Sequence, residues 1–259
     1  MKTANALAAA YPVPALEKGL DLLEALSARA EALSLVDLAR ELGRSPGEIF
    51  RMLNCLERRG YIARDDGRYR LTLKLYGLAH AHTPVDALLR AAARPMQALV
   101  RAVVESAHLS VLSQGKLVVL SQVESTHRIR LSVEVGGRFP VTRTASGRLL
   151  LAHLPPEERE AMLADSGETR DMPASARRRL EAQLAEIRRN EVTVVKSDLT
   201  EGILDVAALV GRLSAGVAAA LCVPSLRRIG NPRPVATLEK AVARAARAIT
   251  RALGLEETR

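Results

Sequence analysis

Near the front of the chain, Gly43-Arg44-Ser45-Pro46-Gly47-Glu48 ends one helix and starts another within six residues. Glycine suits the position just past a helix end. Ser45 can cap the next helix, and Pro46 fits a first helical position, where its missing N–H costs nothing. Leu35, Leu38 and Leu42 lead up to this punctuation, and Ile49, Met52, Leu53 and Leu56 follow it, all at the spacing of a helix with one buried face. Two amphipathic helices meeting at a tight glycine-bearing turn make a helix-turn-helix arrangement. Arg44 and Ser45 of the turn, with Glu48, Phe50, Arg51 and Asn54 on the second helix, are then the side chains expected to face a DNA groove.

The flanking sequence supports the same layout. Leu16, Leu20, Leu23 and Leu26 predict a helix over Pro14 to Arg29, and Ala30 to Ser34 reads as a polar break. Ser34 is a cap for the following helix, with Asp37 as its acidic partner three residues on. After Gly60, the segments Tyr61–Arg64 and Tyr69–Leu73 read as strands joined by Asp65-Asp66-Gly67. This hairpin is a wing, with Arg64, Arg68 and Arg70 in reach of phosphates or a minor groove. From Arg44 to Lys74 there are eight basic and four acidic residues. A three-helix module used only for protein contacts shares the helix spacing, but the helix, turn, helix, hairpin order with arginines on the wing favours DNA.

Composition narrows the alternatives. The 259 residues suit a small domain joined to a medium one, and 48% hydrophobic content supplies a core. Having no Trp and only two Phe argues against a stacking platform for single-stranded nucleic acid. The net charge of +9 favours polyanions, yet residues 1–78 hold twelve basic against ten acidic residues, so global charge alone decides little. Cys55 and Cys222, far apart in apolar sequence, read as two buried thiols in a reducing cytosol. The N-terminal apolar run is broken by Asn5 and Pro12, which argues against a signal peptide, and no stretch is long enough to span a membrane.

Beyond the wing, Leu75 to Arg101 predicts a short helix, a break at Thr83-Pro84 and a longer helix, with a further interruption at Arg94-Pro95. Strands are expected at His108–Leu112, Lys116–Gln122 and Ile129–Val135, then a helix from Thr144-Ala145-Ser146-Gly147 through His153. Polar helices fill Glu157 to Asn190. Strands at Val192–Val195, Ile203–Leu209 and Val217–Val223 precede a last helix from about Val235 to Leu253. This order predicts an α+β domain with a sheet backed by helices. His80, His82, His108, His127 and His153 make no metal-ligand spacing with either cysteine, and no nucleophile elbow, phosphate loop or dinucleotide fingerprint occurs, so neither metal nor cofactor is expected. An enzyme acting on a small organic substrate in the C-terminal α+β domain, with Ser146 as nucleophile, is the alternative reading; it would need a base and an orienting acid.

Residues Pro14 to Leu78, with ALEKGLDLLEAL, LSLVDLARELGRSPGEIFRMLNCLERRGYIARDDGRYRLT and LKLYGLA, resemble the DNA-binding domain of the IclR family. GGRFPVTRTASGRLLLAHLPPEER, EGILDVAALV and GVAAALCVPSLRR are similar to that family's effector domain, so the likeness covers nearly the whole chain. It implies a winged helix-turn-helix domain over 1–78, a helical linker over 79–95 and a GAF-like effector-binding domain over 96–259. The implied partners are double-stranded operator DNA, a small acidic or aromatic effector, and a second copy of the chain, as a dimer or a dimer of dimers. Carried over, the pocket is Leu131, Phe139, Ala145, Ser146, Asp198, Cys222 and Pro224. Three positions depart from the family pattern. Glu48 replaces the commoner Thr, and its carboxylate could accept from a cytosine amino group. Leu209 stands where Pro is usual. The acidic pair reads Lys196 and Asp198, and a lysine in the pocket would favour an anion.

Overall fold

The computed structural model describes residues 13–79, 84–226 and 234–255. The readings made on His80, His82 and the first twelve residues fall outside them. The chain divides into two compact units, Met1–Thr83 and Pro84–Arg259.

The first unit runs α1 (Pro14–Ser27), β1 (Leu33–Ser34), α2 (Leu35–Glu41), α3 (Pro46–Arg58), β2 (Ile62–Asp65), β3 (Arg68–Leu71) and α4 (Lys74–Ala79). Leu22, Leu26, Leu38, Ile49, Leu53, Ile62 and Tyr69 form its core, so each helix contributes its apolar stripe and the hairpin closes the open side. Asp66 and Gly67 both take positive φ, 45° and 73°, which matches the hairpin's turn to the twist of its strands. The segment expected as a plain break carries a third strand. Leu33 and Ser34 pair with Tyr69 and Arg68, giving the order β1-β3-β2. Two residues are too few to show an alternation in sequence. Ser34 also caps α2: its hydroxyl accepts from Asp37 N–H at 3.2 Å, while the Asp37 carboxylate accepts from Ser34 N–H at 3.3 Å.

The second unit begins with α5 (Pro84–Val103), then β4 (Ala107–Ser113), β5 (Lys116–Val123) and β6 (Arg138–Phe139). There follow α6 (Ala145–His153), α7 (Pro156–Ser166), α8 (Ala174–Arg189), β7 (Val192–Lys196), β8 (Ile203–Arg212), β9 (Val217–Leu226) and α9 (Val235–Ala252). The strands form one antiparallel sheet in the order β6-β5-β4-β9-β8-β7. Its central strands are apolar on both faces. Val206, Ala208, Val210, Leu221 and Val223 pack with α5 and α9, whereas Ala207, Ala220 and Cys222 face Leu149, Leu150, Leu184 and Ile187 of α6 and α8.

Two local expectations change. Pro95 lies inside α5 rather than ending a helix. Leu88, Ala92, Met96, Leu99, Val100 and Val103 keep one buried stripe on either side of it, and that burial outweighs the lost backbone hydrogen bond. The segment assigned to a linker up to residue 95 therefore packs, from Leu88 onward, into the core of the second unit. Ile129–Val135 forms no strand. Its backbone is occupied otherwise: Val133 N–H donates to the side chain of Gln122, whose amide also holds Ser132. The edge strand is instead β6, brought alongside β5 by a turn at Gly136-Gly137. A side chain at Gly137 would meet Glu134 O at 2.8 Å and the Phe139 ring at 3.1 Å.

Candidate functional site

α3 presents two unlike faces. Ile49 and Leu53 are buried, while Gly47, Phe50, Arg51, Asn54, Cys55 and Arg58 are exposed. Arg51 and Asn54 make no hydrogen bond or ion pair among the described residues, so their polar groups are free for a ligand. Phe50 is 42% exposed beside them. Cys55, expected to be buried, lies on this outer face as a free thiol.

Five of the expected contact residues hold the head together. Glu48 accepts from Ser45 N–H and Oγ, both at 2.9 Å, and from Lys18 Nζ of α1 at 3.2 Å. The backbone and hydroxyl of Ser45, then Lys18, pull its pKa down to about 2. A carboxylate so engaged caps α3, which explains an acid at this position without any base contact. Arg44 donates to Asp21 of α1 at 2.9 Å and joins α1 to the turn. On the wing, Arg64 packs over the Tyr69 ring at 5.6 Å and Arg68 donates to Ala32 O at 3.2 Å. Arg70, on the outer face opposite Ala63, has no partner among the described residues.

In the second unit, α6 is buried from Ala145 to Ala152, over the α6-facing side of the sheet. Thr144, rather than Ser146, caps it by accepting from Gly147 N–H at 3.2 Å. Glu168 receives Val141 N–H, Thr142 N–H and the Thr142 hydroxyl at 2.6 to 2.9 Å and so fixes the entry to the helix. Gly147 has to be glycine, since a side chain there would lie 2.3 Å from Val141 O. With these groups satisfied, the N–H groups of Ala145 and Ser146 have no partner among the described residues. Ser146 is 2% exposed, and its hydroxyl, like that of Ser110 on β4, is sealed without a hydrogen bond to oxygen or nitrogen. It sits against Cys222. Burial, then the Asp205 charge, push that thiol's pKa well up, with the Ser146 hydroxyl acting the other way.

The other carried-over residues divide. Pro224 is buried on β9 opposite Asp205, two residues along the same face from Cys222. Phe139 packs half-buried into the core beneath α6, and Leu131 is half-exposed in the loop that Gln122 tethers. The Asp198 carboxylate is held by Arg148 and its carbonyl by Arg143, so the expected acceptor is already engaged. Lys196 shares the α9 side of the sheet with Val192 and Val194 and puts no charge beneath α6. A groove of about 770 Å³ runs beside β7 and includes Lys196 and Arg148. Its polar rim of mixed sign and its lack of Ser146, Cys222 and Pro224 place it outside the α6 site.

Two residues the sequence reading did not single out share the α6-facing side of the sheet. His108 pairs across the sheet with Cys222 and shares its face. Its imidazole is half-buried, and burial lowers its pKa to about 4. Asp205 faces α6 beside Pro224, and burial, then the Asp198 charge, raise its pKa to about 6. Neither makes a hydrogen bond among the described residues. Serine, histidine and aspartate are thus all present, but no Ser–His or His–Asp hydrogen bond joins them into a catalytic relay. Among the described residues no cluster could hold a metal and no helix is long and apolar enough to cross a membrane.

A winged helix-turn-helix head with unpaired polar groups on its second helix, followed by an α+β unit with polar side chains buried beneath α6, defines the class of DNA-binding regulators with a sensing domain. Comparison with known proteins names the family. Residues 15–66 match the IclR helix-turn-helix domain and residues 81–251 match the bacterial transcriptional regulator IclR C-terminal domain. The glycerol operon regulatory protein of Streptomyces coelicolor is 31% identical over 93% of this chain and 97% of its own length. The transcriptional regulator XynR of Escherichia coli is 26% identical over 93% and 98%. An IclR homologue from Microbacterium hydrocarbonoxydans, crystallised with 4-hydroxybenzoate, shares the fold with a TM-score of 0.79 at 23% identity, covering 93% of this chain and all of that one. The chain belongs to the IclR family of bacterial transcriptional regulators.

Proposed function

We propose that this regulator reads a two-fold operator as a dimer through α3 and Arg70, and that a small acidic or aromatic effector held at the start of α6 changes its affinity for DNA. The observation that carries the DNA half is Arg51: with Asn54 it stands free on the exposed face of α3, whose first-turn carboxylate, Glu48, is tied into the head. One short helix reads too few base pairs for genomic specificity, so two copies are required. Val13 just before α1, Leu16 and Leu20 in it, and Leu73, Tyr76 and Leu78 around α4 are exposed apolar residues of the same unit and suit burial against a second copy.

The effector half rests on the free N–H groups of Ala145 and Ser146 and the sealed Ser146 hydroxyl. A helix N-terminus welcomes a carboxylate, and the family member that holds 4-hydroxybenzoate supports an aromatic acid. Control arises because the effector favours one arrangement of the reading heads over another; equal affinity for both would shift nothing. A thermal-shift screen of small carboxylates and aromatic acids, repeated with Ser146→Leu, tests it. Stabilising compounds should lose their effect in the variant. An unchanged shift removes the site from α6.

A further inference from the structure

The register of the sheet places a second polar group, Asp205, on the face covered by α6. Cys222 pairs with His108 on one side and Ala207 on the other, and Asp205 pairs with Pro224. Alternation along each strand then puts His108, Cys222, Pro224, Ala207 and Asp205 on the face covered by α6. Ser146 rests on Cys222. Asp205 is the diagonal neighbour of Cys222, about 7–8 Å away between Cα atoms. Ser146 and Asp205 are therefore both neighbours of Cys222 on the face covered by α6.

The charges nearby leave Asp205 unanswered. Arg148 is committed to Asp198 and to Thr142 O, and Arg143 to Asp198 O. Lys196 lies on the opposite side of the sheet. His108 is uncharged, and the Cys222 thiol stays protonated. A mostly buried carboxyl without a donor is costly unless something else supplies one. The start of α6 at Ser146 offers donors to an anion, while Asp205 offers only an acceptor.

We propose that Asp205 determines the specificity of this pocket by accepting a hydrogen bond from a hydroxyl or amino group at the end of the effector opposite its carboxylate. The effector is then a hydroxy or amino acid, and a plain carboxylic acid of the same shape binds poorly. This rests on the effector reading given above and adds a demand that reading does not make. A carboxylate acceptor strengthens such a bond, and an ammonium donor gains more than a hydroxyl because the charges also attract.

The test is isothermal titration of the full chain with benzoate, 4-hydroxybenzoate and 4-(aminomethyl)benzoate, for the wild type, Asp205→Asn and Asp205→Leu. Thermal melts check that each variant folds. In the wild type both donor-bearing compounds should bind about ten- to a hundredfold more tightly than benzoate. Asp205→Leu should abolish both preferences. Asp205→Asn should keep part of the hydroxyl preference and lose the aminomethyl one, which separates the two donor types. The aminomethyl preference should also shrink between pH 7.5 and pH 5.5 as Asp205 takes up a proton; Asp198, Arg148 and Cys222 are the charged or titratable groups around it. If benzoate binds and donor-bearing compounds gain nothing, or gain equally in Asp205→Leu, the proposal is overturned and the α6 site stands. If none of the three binds, the proposal is overturned; if none shifts DNA binding either, the effector reading loses its aromatic-acid form as well.

Discussion

At pH 7.5 the Asp205 carboxyl is ionised in the folded chain, although burial and the Asp198 charge raise its pKa from 3.8 to about 6. Between those values the folded state binds more protons than the unfolded one, so this group's contribution to stability falls as pH rises and is fully lost above about pH 6. Asp205→Asn should therefore stabilise the protein at pH 7.5 by about 1–3 kcal/mol, with the gain gone below about pH 4. His108 works the other way. Its pKa drops from 6.5 to about 4 through burial, so the unfolded state takes up the proton first and stability is lost as pH falls through that window. His108→Gln should flatten the acid limb of a melting-temperature profile against pH; a limb as steep as the wild type's would place His108 in water. Neither residue stood out in the sequence. An alternating strand tells which residues share a face, but not which face meets α6, and only the pairing with Cys222 and Pro224 supplies that. Ser146 and Cys222 entered the reading through the resemblance; the pairs that engage Asp198 with Arg148 and Glu48 with Lys18 join residues 50 and 30 positions apart, which no local pattern shows.

The elements that position these residues were easier to read wherever a stop or start signal is local. Ser45-Pro46 begins α3, Asp66-Gly67 turns the wing and Thr144 opens α6 at the places expected. Pro95 misled because a long buried stripe overrides one helix breaker, and β1 was missed because two residues carry no period. The start of α6 depends on a close backbone approach, which gives a prediction at this scale. Gly147→Ala should cost about 1–3 kcal/mol, because the new methyl meets Val141 O and Thr144 Oγ1 and the loop has to move. Measured by denaturant melts, a neutral result would mean that the entry to α6 is looser than the Glu168 and Thr144 hydrogen bonds imply. The wing separates in the same way. Arg70→Ala should weaken binding to all duplexes alike and lower the salt slope by about one, whereas Arg44→Ala, which breaks a half-exposed pair with Asp21, should change stability by about 0–1 kcal/mol.

For the whole molecule, two units with separate cores match a division of labour between reading and sensing. The net charge of +9 did not reveal the reading surface, since most of the excess lies outside the first unit. What points to the proposed surface is the exposed face of α3, where Arg51 and Asn54 have no side-chain partner among the described residues. The most direct measurement is the affinity of the full-length chain, across a salt series, for a duplex chosen by unbiased selection and for a random duplex. It is made for the wild type and for Arg51→Ala. The wild type should prefer the selected duplex, with affinity falling steeply as salt rises, and Arg51→Ala should lose about 1–3 kcal/mol on the selected duplex and much less on the random one. Equal affinity for both duplexes, or a selected-site affinity untouched by Arg51→Ala, would contradict the assignment of α3 as the element that reads DNA.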